Sequence, residues 1–174
     1  MRGFVWLVSL FITLILSQSA MADTPIVPYS GTWSGTIGTA KVQVFFSEDA
    51  YDSNYYYIKH KSPIRLERSE KDPSEWSENI GHWEPKITGI WKLEQISGNS
   101  IKGVWINPDT KDKLPIELKR IAAIVKDKNG YVDMSAFYAP IIDSLVYRYG
   151  TAKPGETRAI ETDSGISFEV STTK

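Results

Sequence analysis

The sequence of 174 residues contains no cysteine. This absence excludes disulfide bonds, thiolate nucleophiles, zinc–thiolate sites and haem attachment through cysteine. It also excludes the lipid anchor of bacterial lipoproteins, which is attached to a cysteine directly after the cleavage site. Secreted eukaryotic domains of this size usually carry disulfides. The composition therefore favours a bacterial periplasmic protein whose core is stable without them.

An excess of charge of one sign is also absent. The chain has 20 Lys and Arg residues against 21 Asp and Glu residues, which gives a formal net charge of −1 at pH 7. The two signs are interspersed, so no basic stripe is available to neutralise phosphates. No long cationic amphipathic stretch follows residue 22. We therefore expect no nucleic-acid partner, and no membrane partner once a signal peptide has been removed.

Long apolar runs are absent except at the start of the chain. Phe4–Leu16 is almost entirely apolar, an arginine precedes it, and an A-x-A sequence follows at residues 20–22. This order of charge, apolar core and small residues predicts a secretory signal peptide at residues 1–22. The run is shorter than the ~20 apolar residues that cross a bilayer. We predict a soluble periplasmic or secreted protein that begins at Asp23 and forms a single β-rich domain over residues 23–174.

The rest of the chain is rich in β-branched and aromatic residues, in short segments separated by turn residues. Val42, Val44 and Phe46 share one face of such a segment, which is the period of a strand with a buried side. We predict a mainly β fold, an antiparallel meander barrel or a strongly curved sheet. The predicted strands are Gly31–Ile37, Lys41–Phe46, Tyr55–His60, Ile64–Arg68, Ile87–Ile96, Ser100–Ile106, Leu114–Leu118, Tyr131–Phe137 and Gly165–Val170.

One short helix is predicted in the C-terminal half, at Pro140–Tyr149. Proline is favoured at a first helical position, and Gly150 follows as a residue suited to the left-handed cap. Ile141 and Leu145 are four residues apart and place apolar side chains on one face. We expect this helix to pack across an end or a face of the barrel.

The segment GTWSGTIG at residues 31–38 is similar to the opening strand of avidin and lipocalin-type barrels, in which a Gly-x-Trp sequence plugs one end of the barrel. This resemblance implies a β-barrel with Trp33 buried near a closed end. It implies no ligand-binding residues, because the polar residues with which avidins hold biotin have no counterparts in this sequence.

A broader pattern covers most of residues 31–118. It resembles a group of uncharacterised exported bacterial proteins, and this resemblance implies no activity. Members of this group often continue beyond the equivalent of Leu118, which implies a shortened C-terminal part here. The pattern consists of Gly31–Gly35, Tyr55–Tyr57, Gly89–Trp91, Gly103–Trp105 and Leu114–Ile116.

Aromatic residues are the strongest functional signal, because Tyr and Trp provide contact area and a hydrogen bond at low entropic cost. The polar stretch Ser69–Pro85 lacks strand or helix periodicity, which predicts a long loop that carries Trp76 and Trp83. These two rings either contact a partner or plug the barrel. Together with Tyr55 and Tyr57 they are the predicted binding residues. Trp91 and Trp105 are expected in the core.

Signals for metal sites are weak. The chain has two histidines, His60 and His82, and a site that joins them with Glu84 lacks any supporting spacing. The oxygen-rich turn Glu48–Asn54 departs from a calcium-binding EF-hand loop because it lacks the sixth-position glycine and the twelfth-position glutamate. We predict no metal and no cofactor.

Motifs for catalysis are missing as well. The sequence has no Gly-x-Ser-x-Gly elbow and no β-lactamase-like Ser-x-x-Lys. Glycoside hydrolysis needs two carboxylates, and no motif selects a pair among Glu75, Glu78 and Glu84. We assign no catalytic residue.

Three functions are compatible with these observations. The favoured one is a non-catalytic exported binding protein whose partner is an unknown small molecule or protein. The alternative is a periplasmic inhibitor or immunity protein that covers the active site of another protein with the Ser69–Pro85 loop. The third is a small hydrolase that acts on envelope polymers.

Overall fold

The computed structural model describes the backbone of residues 27–49, 53–81, 86–149, 157–161 and 167–171. The predicted signal peptide at residues 1–22 lies outside the described residues, as do His82, Trp83 and Glu84.

Eight strands form a closed antiparallel barrel in which each strand pairs with the next and the last pairs with the first. This architecture confirms the predicted meander barrel. The strands are β1 (Gly31–Ile37), β2 (Ala40–Phe46), β3 (Ser53–Tyr57), β4 (Ile64–Arg68), β5 (Glu75–Ile80), β6 (Lys86–Ser97), β7 (Ser100–Ile106) and β8 (Lys113–Ala122). Beyond the barrel, β9 (Thr157–Glu161) and β10 (Ser167–Ser171) pair as a two-stranded sheet, and β10 corresponds to the predicted strand Gly165–Val170.

The inward-facing side chains form one core inside the barrel. Alternation along each strand directs every second residue inward. The buried members of this core are Val27, Tyr29, Trp33, Ile37, Val42, Val44, Phe46, Tyr55, Leu66, Trp76, Trp91, Leu93, Ile101, Ile116 and Leu118.

One end of the barrel, which we call the Trp33 end, is closed by the residues that precede β1. The indole Nε1 of Trp33 donates a hydrogen bond of 2.9 Å to the carbonyl of Tyr29, and Trp33 is fully buried. The guanidinium of Arg120 lies 4.6 Å from the centre of the Trp33 ring and donates a hydrogen bond of 2.8 Å to the carbonyl of Ser30. The expected burial of Trp33 at a closed end is confirmed.

The prediction of a loop over the whole of Ser69–Pro85 is wrong, because β5 (Glu75–Ile80) occupies its middle and forms part of the barrel wall. Trp76 and Glu78 are buried, and their neighbours on β5 are more exposed. The strand period is therefore present. It is hidden in the sequence because one of the inward residues is charged.

A helical segment packs against the outside of the barrel. It consists of α1 (Ser135–Tyr138), a 3-10 turn at Ala139–Ile141 and α2 (Ile142–Tyr149). The described part of the chain contains no helix that is both long and apolar enough to span a membrane.

The helical segment begins before the predicted helix at Pro140–Tyr149, and the prediction of a strand at Tyr131–Phe137 is wrong. Phe137, Ile141 and Leu145 are spaced by four and all buried, so the helical period starts at Phe137. Pro140 lies in the 3-10 turn, where its missing N–H interrupts the α-helical bonding.

Two buried aromatic side chains on the outer face of β2 and β3 anchor this segment. Phe45 and Tyr56 pack with Phe137, at ring-centre distances of 6.1 Å and 5.0 Å. The Tyr56 hydroxyl donates a hydrogen bond of 3.0 Å to the Phe137 carbonyl, and Gln43 Nε2 donates one of 2.5 Å to the carbonyl of Ala136. The helix therefore covers one side of the wall.

Pro115 lies inside β8, although a proline in a strand usually indicates an edge or a bulge. The β8–β1 ladder ends at the pair Ile116–Ile37, and the Pro115 carbonyl accepts a hydrogen bond of 2.8 Å from Gly38 N–H in the β1–β2 turn. In an extended strand the N–H and C=O of one residue point to the same side. The missing N–H of Pro115 therefore faces this turn, and no ladder bond is lost.

Candidate functional site

The predicted binding residues differ in burial: Tyr55 and Tyr57 lie side by side on β3, Trp76 lies elsewhere in the core, and Trp83 lies outside the described residues. Tyr55 and Trp76 are fully buried in the barrel core, and Tyr57 is partly exposed. The ring centre of Trp76 lies 5.1 Å from that of Phe46, and its Nε1 donates a hydrogen bond of 3.1 Å to the Tyr29 hydroxyl. The sequence predicts that Trp76 either contacts a partner or fills the barrel, and the structure shows that it packs inside the barrel.

A buried carboxylate lies at the centre of a polar cluster inside the barrel. Glu78 on β5 is 3% exposed, and it points inward two residues after Trp76. Its Oε1 accepts hydrogen bonds from Tyr55 Oη at 2.7 Å, Trp91 Nε1 at 2.9 Å and Trp105 Nε1 at 2.5 Å. An indole N–H can only donate, so the two tryptophans define this oxygen as an acceptor.

The second carboxylate oxygen of Glu78 is much less saturated. Its Oε2 accepts one hydrogen bond from the Thr88 hydroxyl at 3.2 Å, longer than any of the three on Oε1. Each oxygen of a carboxylate offers about two acceptor sites, and Oε2 uses one of them. Among the described residues, Oε2 is therefore the atom of this cluster that has capacity for a further donor.

An irregularity in the sheet brings the Thr88 hydroxyl to this position. The pairing of β5 with β6 shifts between Glu78 and Asn79, so that Glu78 faces Gly89 and Asn79 faces Ile87. Thr88 is left without a partner on β5, and its side chain reaches the carboxylate. Such bulges redirect side chains and are frequent beside functional sites.

Gly89 provides the space that the cluster occupies. A Cβ atom at this position would lie 2.2 Å from Trp105 Nε1 and 2.4 Å from Glu78 Oε2. Any side chain here would displace the indole or the carboxylate. The second Gly-x-Trp sequence thus has two roles: its glycine makes room, and its tryptophan Trp91 donates to Glu78.

Two of the three tyrosines of β3, Tyr55 and Tyr57, remain protonated next to this carboxylate. Burial raises the pKa of Tyr55 well above its usual value, and the negative charge of Glu78 raises it further. Burial also raises the pKa of Tyr57, with a smaller contribution from Glu78 in the same direction. Tyr55 is therefore a permanent hydrogen-bond donor to Glu78 at neutral pH. The Tyr57 ring packs edge-on to that of Tyr55 at a distance of 5.4 Å.

The cluster lies towards the end of the barrel opposite Trp33, which we call the Glu78 end. This end contains the β1–β2, β3–β4 and β7–β8 connections and the point at which β5 ends. Tyr57 and Trp105 are partly exposed here, and Ile80 and Leu114 are 38% and 41% exposed. The Trp33 end, in contrast, is sealed by buried residues.

Other candidate sites receive less support. His60 lies in the β3–β4 turn, where it is exposed and its ring contacts Tyr57 edge-on. The described residues contain no group of three His, Cys, Asp or Glu side chains that could hold a metal ion. The oxygen-rich turn Glu48–Asn54 lies only partly within the described chain, which omits residues 50–52.

A shallow groove of about 440 Å³ also lies between the β3–β4 turn and α2. Its lining mixes both charge signs, with Lys59, Lys61 and Arg148 beside Asp143, and all four are exposed. The groove therefore lacks the buried polar group that distinguishes the Glu78 cluster.

Sequence reasoning missed the central residue of the cluster. The sequence offers Glu78 only as one of three glutamates for a glycosidase pair, and it indicates no role for Thr88. Two signals in the sequence point to them: Trp76, Glu78 and Ile80 alternate with polar residues, and Gly89 and Trp91 repeat the pattern of β1. Trp91 is fully buried, as expected, whereas Trp105 is only partly buried.

Comparisons with protein-family models, with curated proteins and with solved structures find no match to this chain.

Proposed function

We propose that this protein is an exported, non-catalytic binding protein that holds a small molecule at the Glu78 end of its barrel. The observation that carries this proposal is the buried Glu78 carboxylate, surrounded by aromatic donors that extend to a partly exposed surface. Ligand sites are typically apolar with a few convergent polar groups. Eight-stranded barrels are just wide enough for packed side chains or for one small ligand.

The arrangement favours binding over hydrolysis. Glycoside hydrolysis requires a second carboxyl group roughly 5–10 Å from the first. Glu78 is the one acidic side chain among the buried polar residues of the described chain. Glu75 precedes it on β5 but forms a 3.2 Å ion pair with Lys92 on the outer face. The groups around Glu78 donate hydrogen bonds and orient the carboxylate, which suits recognition.

The alternative of a protein inhibitor depended on a long loop at Ser69–Pro85. Because β5 occupies the centre of this stretch and buries Trp76, the described residues offer no specific observation in its favour.

A thermal-shift screen with a library of small molecules tests the proposal. A ligand at about 100 times its Kd stabilises the folded state by about 2.7 kcal/mol, a shift of several degrees in Tm. Ligands that raise the Tm of the wild type are then titrated against Trp105→Phe and Trp33→Phe. Each variant removes one indole N–H hydrogen bond, at opposite ends of the barrel.

We expect Trp105→Phe to weaken binding about tenfold, equivalent to about 1.4 kcal/mol, and Trp33→Phe to leave Kd unchanged. Equal effects of the two variants, or a screen without any stabilising ligand, would overturn the proposed binding site.

A further inference from the structure

Glu78 is a buried negative charge that no described cation neutralises. Its carboxylate receives four hydrogen bonds, all from neutral groups, and no described Lys, Arg or His forms an ion pair with it. Neutral donors satisfy acceptor sites but leave the net charge in place. A buried charge without a partner of opposite sign carries a large desolvation penalty. Within the described part of the chain, the acceptor sites of this carboxylate are almost all used, but its negative charge has no partner of opposite sign.

The remaining capacity of the carboxylate lies on one atom. Oε1 already accepts three hydrogen bonds, whereas Oε2 accepts only the 3.2 Å bond from Thr88. The rings of Tyr57 and Trp105 belong to the same end of the barrel and are partly exposed. Aromatic faces attract cations, most strongly where water is excluded. The most favourable binding free energy at this site is therefore expected for a group that carries both a positive charge and an N–H donor.

We propose that the ligand of the Glu78 end is a protonated organic amine, whose ammonium group donates to Oε2 of Glu78 and lies against the aromatic rings. This inference rests on the proposed binding function and adds the chemical class of the ligand. Coulomb attraction is strong at a site of low effective dielectric constant. An ammonium group should therefore bind Glu78 more tightly than a neutral hydroxyl does. A carboxylate ligand is repelled by Glu78.

Three probes of similar shape and different charge test this inference on the wild-type protein: benzylammonium, benzyl alcohol and benzoate. Isothermal titration calorimetry measures Kd, and ¹H–¹⁵N NMR follows the indole N–H signals of Trp91 and Trp105 against that of Trp33. We expect benzylammonium to bind at least tenfold tighter than benzyl alcohol and to shift the first two signals. We expect no detectable binding of benzoate.

Two variants, each of which removes one negative charge, test whether the preference for benzylammonium comes from Glu78. Glu78→Gln keeps an acceptor for the aromatic donors but removes the charge, and it should abolish the preference for benzylammonium. Glu75→Gln removes a charge on the outer face of the same strand and should leave the preference unchanged. The comparison of the three probes on the wild type remains decisive if Glu78→Gln does not fold.

The outcomes separate this inference from the proposed function. Benzyl alcohol or benzoate binding as tightly as benzylammonium at the Trp105 signal would overturn the cation class and leave the binding function standing. The cation class would also be overturned if none of the three probes binds but neutral or anionic library ligands shift the Trp105 signal. The binding function would again be left standing. If neither the probes nor the library ligands shift it, both proposals fail.

Discussion

At the scale of single residues, the Glu78 carboxylate connects four strands of the barrel. Its partners Tyr55, Thr88, Trp91 and Trp105 lie on β3, β6 and β7, and Glu78 itself lies on β5. A buried polar network of this kind is costly when one member is lost, because the remaining groups become unsatisfied. Loss of the carboxylate would leave two buried or partly buried indole N–H groups and a phenol without acceptors.

We predict that Glu78→Ala destabilises the protein by about 3–5 kcal/mol, since an unsatisfied buried donor costs about 1–3 kcal/mol and a cavity adds to this cost. Glu78→Gln retains an acceptor oxygen and should cost only about 1–2 kcal/mol. Urea denaturation followed by tryptophan fluorescence measures both free energies of unfolding. Equal costs of the two variants would show that the hydrogen bonds to Oε1 contribute little to stability.

At the scale of elements, β3 carries a different function on each face. Tyr55 points into the barrel and donates to Glu78, whereas Tyr56 points outward and donates to the Phe137 carbonyl of the helical segment. The Tyr-Tyr-Tyr sequence therefore serves both the candidate site and the attachment of the helix. Alternation along the strand is the reason, because adjacent side chains point to opposite faces.

The attachment of the helix leads to a prediction about pH. Burial raises the pKa of Tyr56 to about 12, whereas a tyrosine in the unfolded chain titrates near 10. The folded state therefore retains this proton more tightly. Its contribution to stability is complete below about pH 10 and is lost as the pH rises towards about 12. Tyr55, whose pKa is raised well above its usual value, acts in the same direction.

We expect Tyr56→Phe to cost about 1 kcal/mol at neutral pH, through the lost hydrogen bond to Phe137, and to reduce the decline in stability above pH 10. Urea midpoints between pH 8 and the alkaline limit of folding provide the measurement. Phe137→Leu is the control, since it retains the Tyr56 hydroxyl and the backbone carbonyl, and it should preserve the wild-type slope. An unchanged slope in Tyr56→Phe would contradict the burial of this phenol in solution.

At the scale of the whole molecule, the barrel is closed by contacts between the first and the last strand. β1 pairs with β8, and Arg120 of β8 joins the ring of Trp33 to the carbonyl of Ser30. A closed barrel has no edge strand that could pair with another chain. The same contacts seal the Trp33 end, so that the polar cluster lies towards the other end.

We predict that Arg120→Ala destabilises the protein by about 1.5–3 kcal/mol, because it removes a hydrogen bond from a charged donor and a cation–π contact. Arg120→Lys should recover part of this loss, since lysine keeps the charge but not the planar group that stacks on Trp33. Thermal and urea denaturation measure both effects. A Lys variant as unstable as the Ala variant would show that the cation–π contact makes no contribution.

Much of the fold could be predicted from the sequence because strand signals are local. Alternating apolar residues and turn residues placed β1, β4 and β7 at their observed bounds, and β2 and β6 within one residue at each end. The strand predicted at Tyr55–His60 begins two residues earlier and ends at Tyr57. The Gly-x-Trp resemblance correctly placed Trp33 at a closed end. The physical reason is that a half-buried strand imprints its period on consecutive residues, whatever its partners are.

Only the tertiary structure decided the site. β5 was missed because its inward face carries Glu78, whose burial is possible only when Tyr55, Trp91 and Trp105 arrive from three other strands. The last three residues of the strand expected at Tyr131–Phe137 lie in α1 instead, where Phe137 packs on Tyr56, far away in the sequence. A charge is expensive to bury unless distant groups satisfy it. No local pattern contains those groups, and barrel closure alone brings them together.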